Sequence, residues 1–392
     1  MSQQRSNDSY RMENHLSRWL SLLAAAGGAV FVAGLFFSPH RVWGGYLISM
    51  QLVTSLALSG MVFLALLYLA RAQWAAPLQG VPEAMARCLP LGFAMGILLL
   101  FGLSNLYEWA HPAAVEHDPL LQHKSSFLNA TGFSVRLILA FLLWMILGNR
   151  LLRFSKERGS QSWPFEGRVL RSSAVFMLVF TVTYSVTSFD WLMSLEPHWF
   201  STIFALYQLA GMGVAGLAVA ILLALHLERA GPLKGVLRSE HLHDLGKLLF
   251  CMSLFWAYLW YCQYMLIWYV DIPEETAYFV KRQEGAWWLV VRCTLILKWL
   301  VPFIVLMPRW SCRKRSVLSR VSVVVLAGHL LDLYSQVGPS VSGGVAIGLW
   351  EVGPVVGALA AFAWLCLRHL GQVSHASLDD PRLAHSLHYH TP

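Results

Sequence analysis

Ten runs of about 20 mostly apolar residues dominate this chain, and each is long enough to cross a bilayer as a helix. They lie near 19–37, 46–70, 88–107, 129–148, 169–193, 200–227, 247–270, 286–307, 317–336 and 343–367 of 392 residues. The connections between them are too short to hold a soluble domain. Only 13% of residues are charged and 57% are hydrophobic, whereas soluble domains carry about 25% charged residues. The expectation is an all-α integral membrane protein: a polar tail over 1–18, one ten-helix membrane domain over 19–370 and a second polar tail over 371–392. The N-terminal tail lacks the short basic start and small-residue cleavage site of a signal peptide, so the first run reads as a retained helix.

Lys and Arg are unevenly placed. Tails and connections on one side hold 20, counting Lys247 at a helix edge, and those on the other side hold 4. The positive-inside rule puts the richer side and both termini in the cytoplasm. The net charge of +8 is therefore a topology signal, and it gives no reason to expect a nucleic-acid partner.

That asymmetry sorts the polar segments. "SNLYEWAHP" (104–112), "SFDWLMSLEPHWFS" (188–201), "WYVDIPEETAYF" (268–279) and "GHLLDLYSQVGPS" (328–340) fall outside; "HLERAG" (226–231) and "SEHLHDLGKLLF" (239–250) fall inside. In the ninth run, His329 and Asp332 are three apart and Gln336 follows one turn later, so all three share a helix face. Ionisable groups in hydrocarbon cost roughly 3 kcal/mol on insertion scales and face a bundle interior or wet cavity. The set reads as a proton relay, as a contact for a quinone headgroup, or as a polar pair that holds helices together.

Asp190 ends the fifth run, with Glu196 and His198 close behind. Pro197 favours an extended Glu196 and a break between helices. Trp191 and Trp199 suit a headgroup belt. Asp271, Glu274 and Glu275 make an acidic outer patch suited to docking a partner domain. Arg136, Arg292 and Lys298 lie inside apolar runs. Lys298 needs a buried acceptor, for which Glu351 is a candidate, while Arg292 is close enough to the outer end to snorkel. On the inner side His226, Glu228, Glu240, His241, His243 and Asp244 gather around one short connection, either as a proton entry or as a solvated loop.

No two of the six cysteines are spaced as CxxC or CxxCH, which argues against iron–sulfur, covalent haem or cysteine–zinc sites. Haem b needs two axial histidines on facing helices, and only His329 lies deep in an apolar run. The four tail histidines read as part of a solvated tail, and no metal site is expected. Breaks at Pro and Gly fall mostly at helix ends, unlike the midplane interruptions of many secondary transporters.

"SFDWLMSLEPHWFSTIFALY", "HDLGKLLF", "FWAYLWYCQYMLIWYVDIPEET" and "GHLLDLY" together resemble the subunit-F group of bacterial alternative complex III, in the wider NrfD/PsrC-like family of quinone-linked membrane proteins. The resemblance is specific over about residues 180–340. It implies two four-helix bundles and a flanking helix pair in the bacterial inner membrane. It also implies a redox-inactive subunit of a complex that oxidises quinol, menaquinol or ubiquinol. The partners would be a sister NrfD-like subunit, an iron–sulfur protein and c-type cytochromes, which hold the clusters and haem c. In that family the subunit is assigned polar half-channels for protons. His329, Asp332, Asp190 and His198 would serve the outer half; His241, His243 and Asp244 would serve the inner half. Gly328 stands where the family pattern leads one to expect a bulkier residue. The alternatives are a subunit that itself binds quinol near His329 and Asp332, and a purely structural anchor.

Overall fold

A computed structural model describes residue 10, residues 12–156 and 166–372, and residue 386. Ten helices among the described residues are long and apolar enough to cross a membrane. They are α1 (Asn14–Phe37), α2 (Pro39–Leu69), α3 (Gly80–Leu106), α4 (Ala130–Phe154), α5 (Gly167–Leu195), α6 (Phe204–Ala230), α7 (Ser239–Val270), α8 (Trp287–Leu306), α9 (Arg315–Val341) and α10 (Leu349–Leu370). No strand occurs among the described residues. The chain is a multi-pass, all-helical membrane protein. The tail histidines lie outside the described residues.

Helix α2 is the hub, packing against α3, α5, α6, α9 and α10. Its most apolar window is 78% buried, against 17% for α1. Lipid tails are as apolar as leucine, so helices here associate through close packing and small residues. A Cβ on Gly27 of α1 would stand 2.4 Å from the Gly357 backbone of α10, so that pair touches backbone to backbone. Two further sets of neighbours follow chain order: α2 to α5 pack in sequence, as do α6 to α9, with α9 returning to α6.

Helices α2, α3 and α7 start seven or eight residues ahead of their apolar runs. Helix α2 begins at Pro39, where a missing N–H costs nothing in a first helical turn, and so takes in His40 and Arg41. Arg41 is tolerated because it forks onto Glu351 of α10, at 2.6 and 3.0 Å. Helix α3 begins at Gly80 and takes in buried Glu83. Helix α7 ends where Asp271 turns left-handed, at φ 51°, and Pro273 then starts the short helix Pro273–Lys281.

Candidate functional site

Helix α8 is irregular where its one buried charge lies. Residues Ile296–Leu300 form a π-turn, a distortion that occurs frequently at functional sites. Pro302 has no N–H for the Lys298 carbonyl four residues back, and the Ser253 hydroxyl of α7 donates to that carbonyl instead. Gly328 of α9 lets the turn come close, since a Cβ there would sit 2.9 Å from the Lys298 backbone nitrogen. The bulkier residue expected at this position has no room.

The π-turn aims Lys298, fully buried, at the polar face of α9. Its ammonium lies 2.5 Å from Asp332 Oδ2 and 3.0 Å from His329 Nδ1, and 4.2 Å from the centre of the Trp256 ring. An ammonium only donates, so Nδ1 accepts and the proton of neutral His329 rests on Nε2. That Nε2 is buried without a partner among the described residues. The other Asp332 oxygen accepts from the Tyr207 hydroxyl of α6 and from Gln336 Nε2 at 3.1 Å, and Gln336 in turn accepts from Gln208. Asp332 is thus held by three donors from three helices. The predicted partner of Lys298 is corrected: Glu351 is engaged by Arg41 and by the Gly348 N–H at 2.9 Å, and Asp332 takes its place.

Toward the α5–α6 connection the cluster meets a second knot built on Arg282. Pro339 withholds an N–H from the Ser335 carbonyl, and Arg282 supplies one at 2.9 Å, with another to Gln336 O at 2.9 Å. The same guanidinium reaches Glu196 at 3.0 Å and lies 3.4 Å above the Tyr278 ring. Trp199 stacks on that ring at 3.8 Å, necessarily on its other face. Burial pushes the Tyr278 hydroxyl up to about 12. Ser340 also donates to Glu196 at 3.0 Å, and Lys281 lies 3.8 Å from it. Glu196 leaves the helix with φ −122° and ψ 80°, the non-helical backbone that a following proline favours.

The residues of "SFDWLMSLEPHWFS" separate in space. Asp190, 1% exposed, takes both ends of the Arg136 fork at 2.7 and 2.8 Å. Arg136 itself is only partly buried and also donates to Phe127 O at 2.9 Å. His198, half exposed, pairs with Asp118 at 2.9 Å. Asp190 and His198 therefore have separate partners, and neither touches His329 or Asp332. Trp191 and Trp199 are not headgroup anchors. They are 1% and 3% exposed, the first packed on Phe141 and Trp144, the second on Tyr278. A large ring buried beside other rings gains more contact than one at an interface.

Two cavities flank Tyr278. One, of about 470 Å³, is lined by His40, His111, His198, Glu108, Glu196 and Glu274, among others. The second, of about 580 Å³, is lined by Tyr207, Gln263, Arg282, Arg292 and Gln336 and by aromatic rings of α7 and α8. Neither is lined by His329 or Asp332. Asp271 and Glu274 are exposed and Glu275 is half-buried.

Of the inner residues, Glu240, His241, His243 and Asp244 lie close enough to act on one another electrostatically, while His226 and Glu228 are bonded elsewhere. His226 bonds Tyr10 at 2.9 Å, Glu228 is forked by Arg315 at 2.7 and 2.6 Å, and Glu240 pairs with Arg313 at 3.0 Å. His241 accepts from the Arg238 N–H at 3.0 Å, closing the helix start, and bonds Ser386 at 2.9 Å. His243 is buried with both ring nitrogens unbonded among the described residues, 3.6 Å from Asp244.

Sequence reasoning missed Arg282, Tyr207, Gln208 and Gln263. The signal for Arg282 was Pro339, which frees a carbonyl that some donor has to reach. Among the described residues no group of three or more His, Cys, Asp or Glu is placed to hold a metal ion. No family model and no curated protein matches the chain.

Proposed function

We propose that this chain is a redox-inactive subunit of a quinol-oxidising respiratory complex of the alternative complex III type, and that it supplies membrane anchoring and a proton-handling site. In this reading α2–α5 and α6–α9 are two four-helix bundles flanked by α1 and α10. Both termini are cytoplasmic, and the α5–α6 connection faces outward in a bacterial inner membrane. The neighbour pattern of the helices and the distribution of Lys and Arg support that arrangement.

The observation that carries the proposal is the Lys298–Asp332 pair, buried in the second set of helices and bonded to His329, Tyr207 and Gln336. A lysine can give up its proton in a low-dielectric site and an arginine cannot. A proton passing from Lys298 to Asp332 turns an ion pair into a neutral pair, so no net charge is created in the interior. His329, on the same ammonium, offers a second acceptor. The site is built for relay. Direct contact of a quinol with His329 or Asp332 has less support, because neither outer cavity is lined by them. Electron carriers belong to partner subunits, which the acidic patch of Asp271, Glu274 and Glu275 would help to seat.

The test is purification through a tag on this chain from its native membrane. The expected result is co-purification of an iron–sulfur protein, c-type cytochromes and a second NrfD-like subunit, with quinol-dependent cytochrome reduction. A chain that purifies alone and supports no quinol oxidation contradicts the proposal.

A further inference from the structure

The two cavities beside Tyr278 differ in charge, and the difference points to a ligand. The outer one has three carboxylates in its wall: Glu108, Glu196 and Glu274. The one between α7 and α8 has none, and it has two guanidinium groups, Arg282 and Arg292. Glu196 neutralises Arg282. Arg292 has no carboxylate within ion-pair reach among the described residues, and its guanidinium lies 4.7 Å from the Trp288 ring centre.

The walls supply a headgroup environment. Gln263 is 5% exposed, lines the cavity and makes no hydrogen bond among the described residues. Because Gln263 lines the cavity, a polar occupant there can complete the hydrogen bonds of its amide. Trp260 and Tyr264 stack with ring centres 5.5 Å apart, and Trp288 is 42% exposed. Trp and Tyr prefer headgroup depth. The volume of about 580 Å³ falls in the usual range for small-ligand sites, about 300–1,000 Å³.

We propose that this cavity seats the headgroup of an anionic phospholipid that enters from the bilayer between α7 and α8. Arg292 takes the phosphate, Gln263 completes its hydrogen bonding on the polar part of the headgroup, and Trp260, Tyr264 and Trp288 cover the glycerol region. A guanidinium without a carboxylate partner matches the oxygens of a phosphate. The absence of any carboxylate from the wall favours an anion over a neutral ring. Trp260, Tyr264 and Trp288 give the cavity an aromatic wall of the kind that meets lipid headgroups, which favours a membrane-borne anion over a free one. The cavity shares Tyr207 and Gln336 with the Asp332 network, but the groups that hold the lipid, Arg292 and Gln263, take no part in that network.

The test is native mass spectrometry of the complex, delipidated and then offered mixed vesicles of phosphatidylglycerol and phosphatidylcholine. The wild-type chain retains one phosphatidylglycerol, preferred about tenfold over phosphatidylcholine, which corresponds to about 1.4 kcal/mol. Arg292→Gln abolishes the preference and Gln263→Leu weakens it. Arg171→Gln, at an exposed position near the opposite end of α5, leaves it intact. Where Arg292→Gln fails to assemble, Gln263→Leu decides. Equal retention of the two lipids overturns the proposal. So does displacement by inorganic phosphate, which marks a free-anion site, or by a quinone analogue, which marks a quinone chamber.

Discussion

Arg136 reaches Asp190 with both ends of its fork, at 2.7 and 2.8 Å, while Lys298 divides one ammonium between Asp332 and His329. Both pairs sit among spanning helices, the first between α4 and α5, the second between α8 and α9. The arginine pair is geometrically complete and its cation cannot be discharged. It braces two helices and ends there. The lysine pair is fully enclosed: its ammonium also donates to a histidine, and its carboxylate accepts from a tyrosine and from a glutamine that a second glutamine bonds. It rests on a π-turn that only a glycine at 328 accommodates. A buried charge pair by itself says little about function; the identity of the cation and the onward bonds separate a brace from a relay.

The comparison breaks most sharply when one charge of the proposed relay is removed. Lys298→Met leaves Asp332 buried and unpaired, and stability of the assembled chain falls by about 3–5 kcal/mol, measurable as loss of assembly or a lower unfolding temperature. The double variant Lys298→Met/Asp332→Leu recovers most of that stability, because an apolar pair of similar volume replaces the ion pair at little cost, while proton coupling stays lost. Gly328→Ala comes next, at about 1–3 kcal/mol for overpacking against a backbone that cannot give way; full stability in this variant contradicts the close approach of α8 and α9. Arg136→Lys removes one prong of the fork on the brace and costs about 1 kcal/mol, with quinol oxidation and proton release unchanged. At the α6–α7 end, Glu228→Gln loosens the partly exposed pair with Arg315 and changes stability by at most about 1 kcal/mol. A larger effect there, or a change in proton stoichiometry, would restore the inner residues as part of a path.

The spanning helices were legible because each must satisfy its backbone alone and present 20 or so apolar residues to lipid. The shared face of His329, Asp332 and Gln336 followed from helical spacing. The partner of Lys298 did not, since residues 298 and 332 belong to different helices and Glu351 fitted the same requirement equally well on paper. Arg282 was counted as a charge in a connection, and only the path of α9 around Pro339 reveals the carbonyls that need it. The inner histidines and carboxylates misled in the opposite way: adjacency along a connection suggested one cluster, while His226, Glu228, Glu240 and His241 each bond a separate partner. Trp191 and Trp199 show the same effect, since a tryptophan at a helix end can be turned inward as readily as toward headgroups.

The most direct measurement is the number of protons released per electron by the assembled complex in sealed vesicles, with Lys298→Arg compared to wild type. Arginine keeps the charge on Asp332 but cannot pass its proton on. The relay account gives a lower proton-to-electron ratio in Lys298→Arg, with the complex assembled and quinol still oxidised. An unchanged ratio in that variant contradicts the account and leaves Lys298–Asp332 as a second brace.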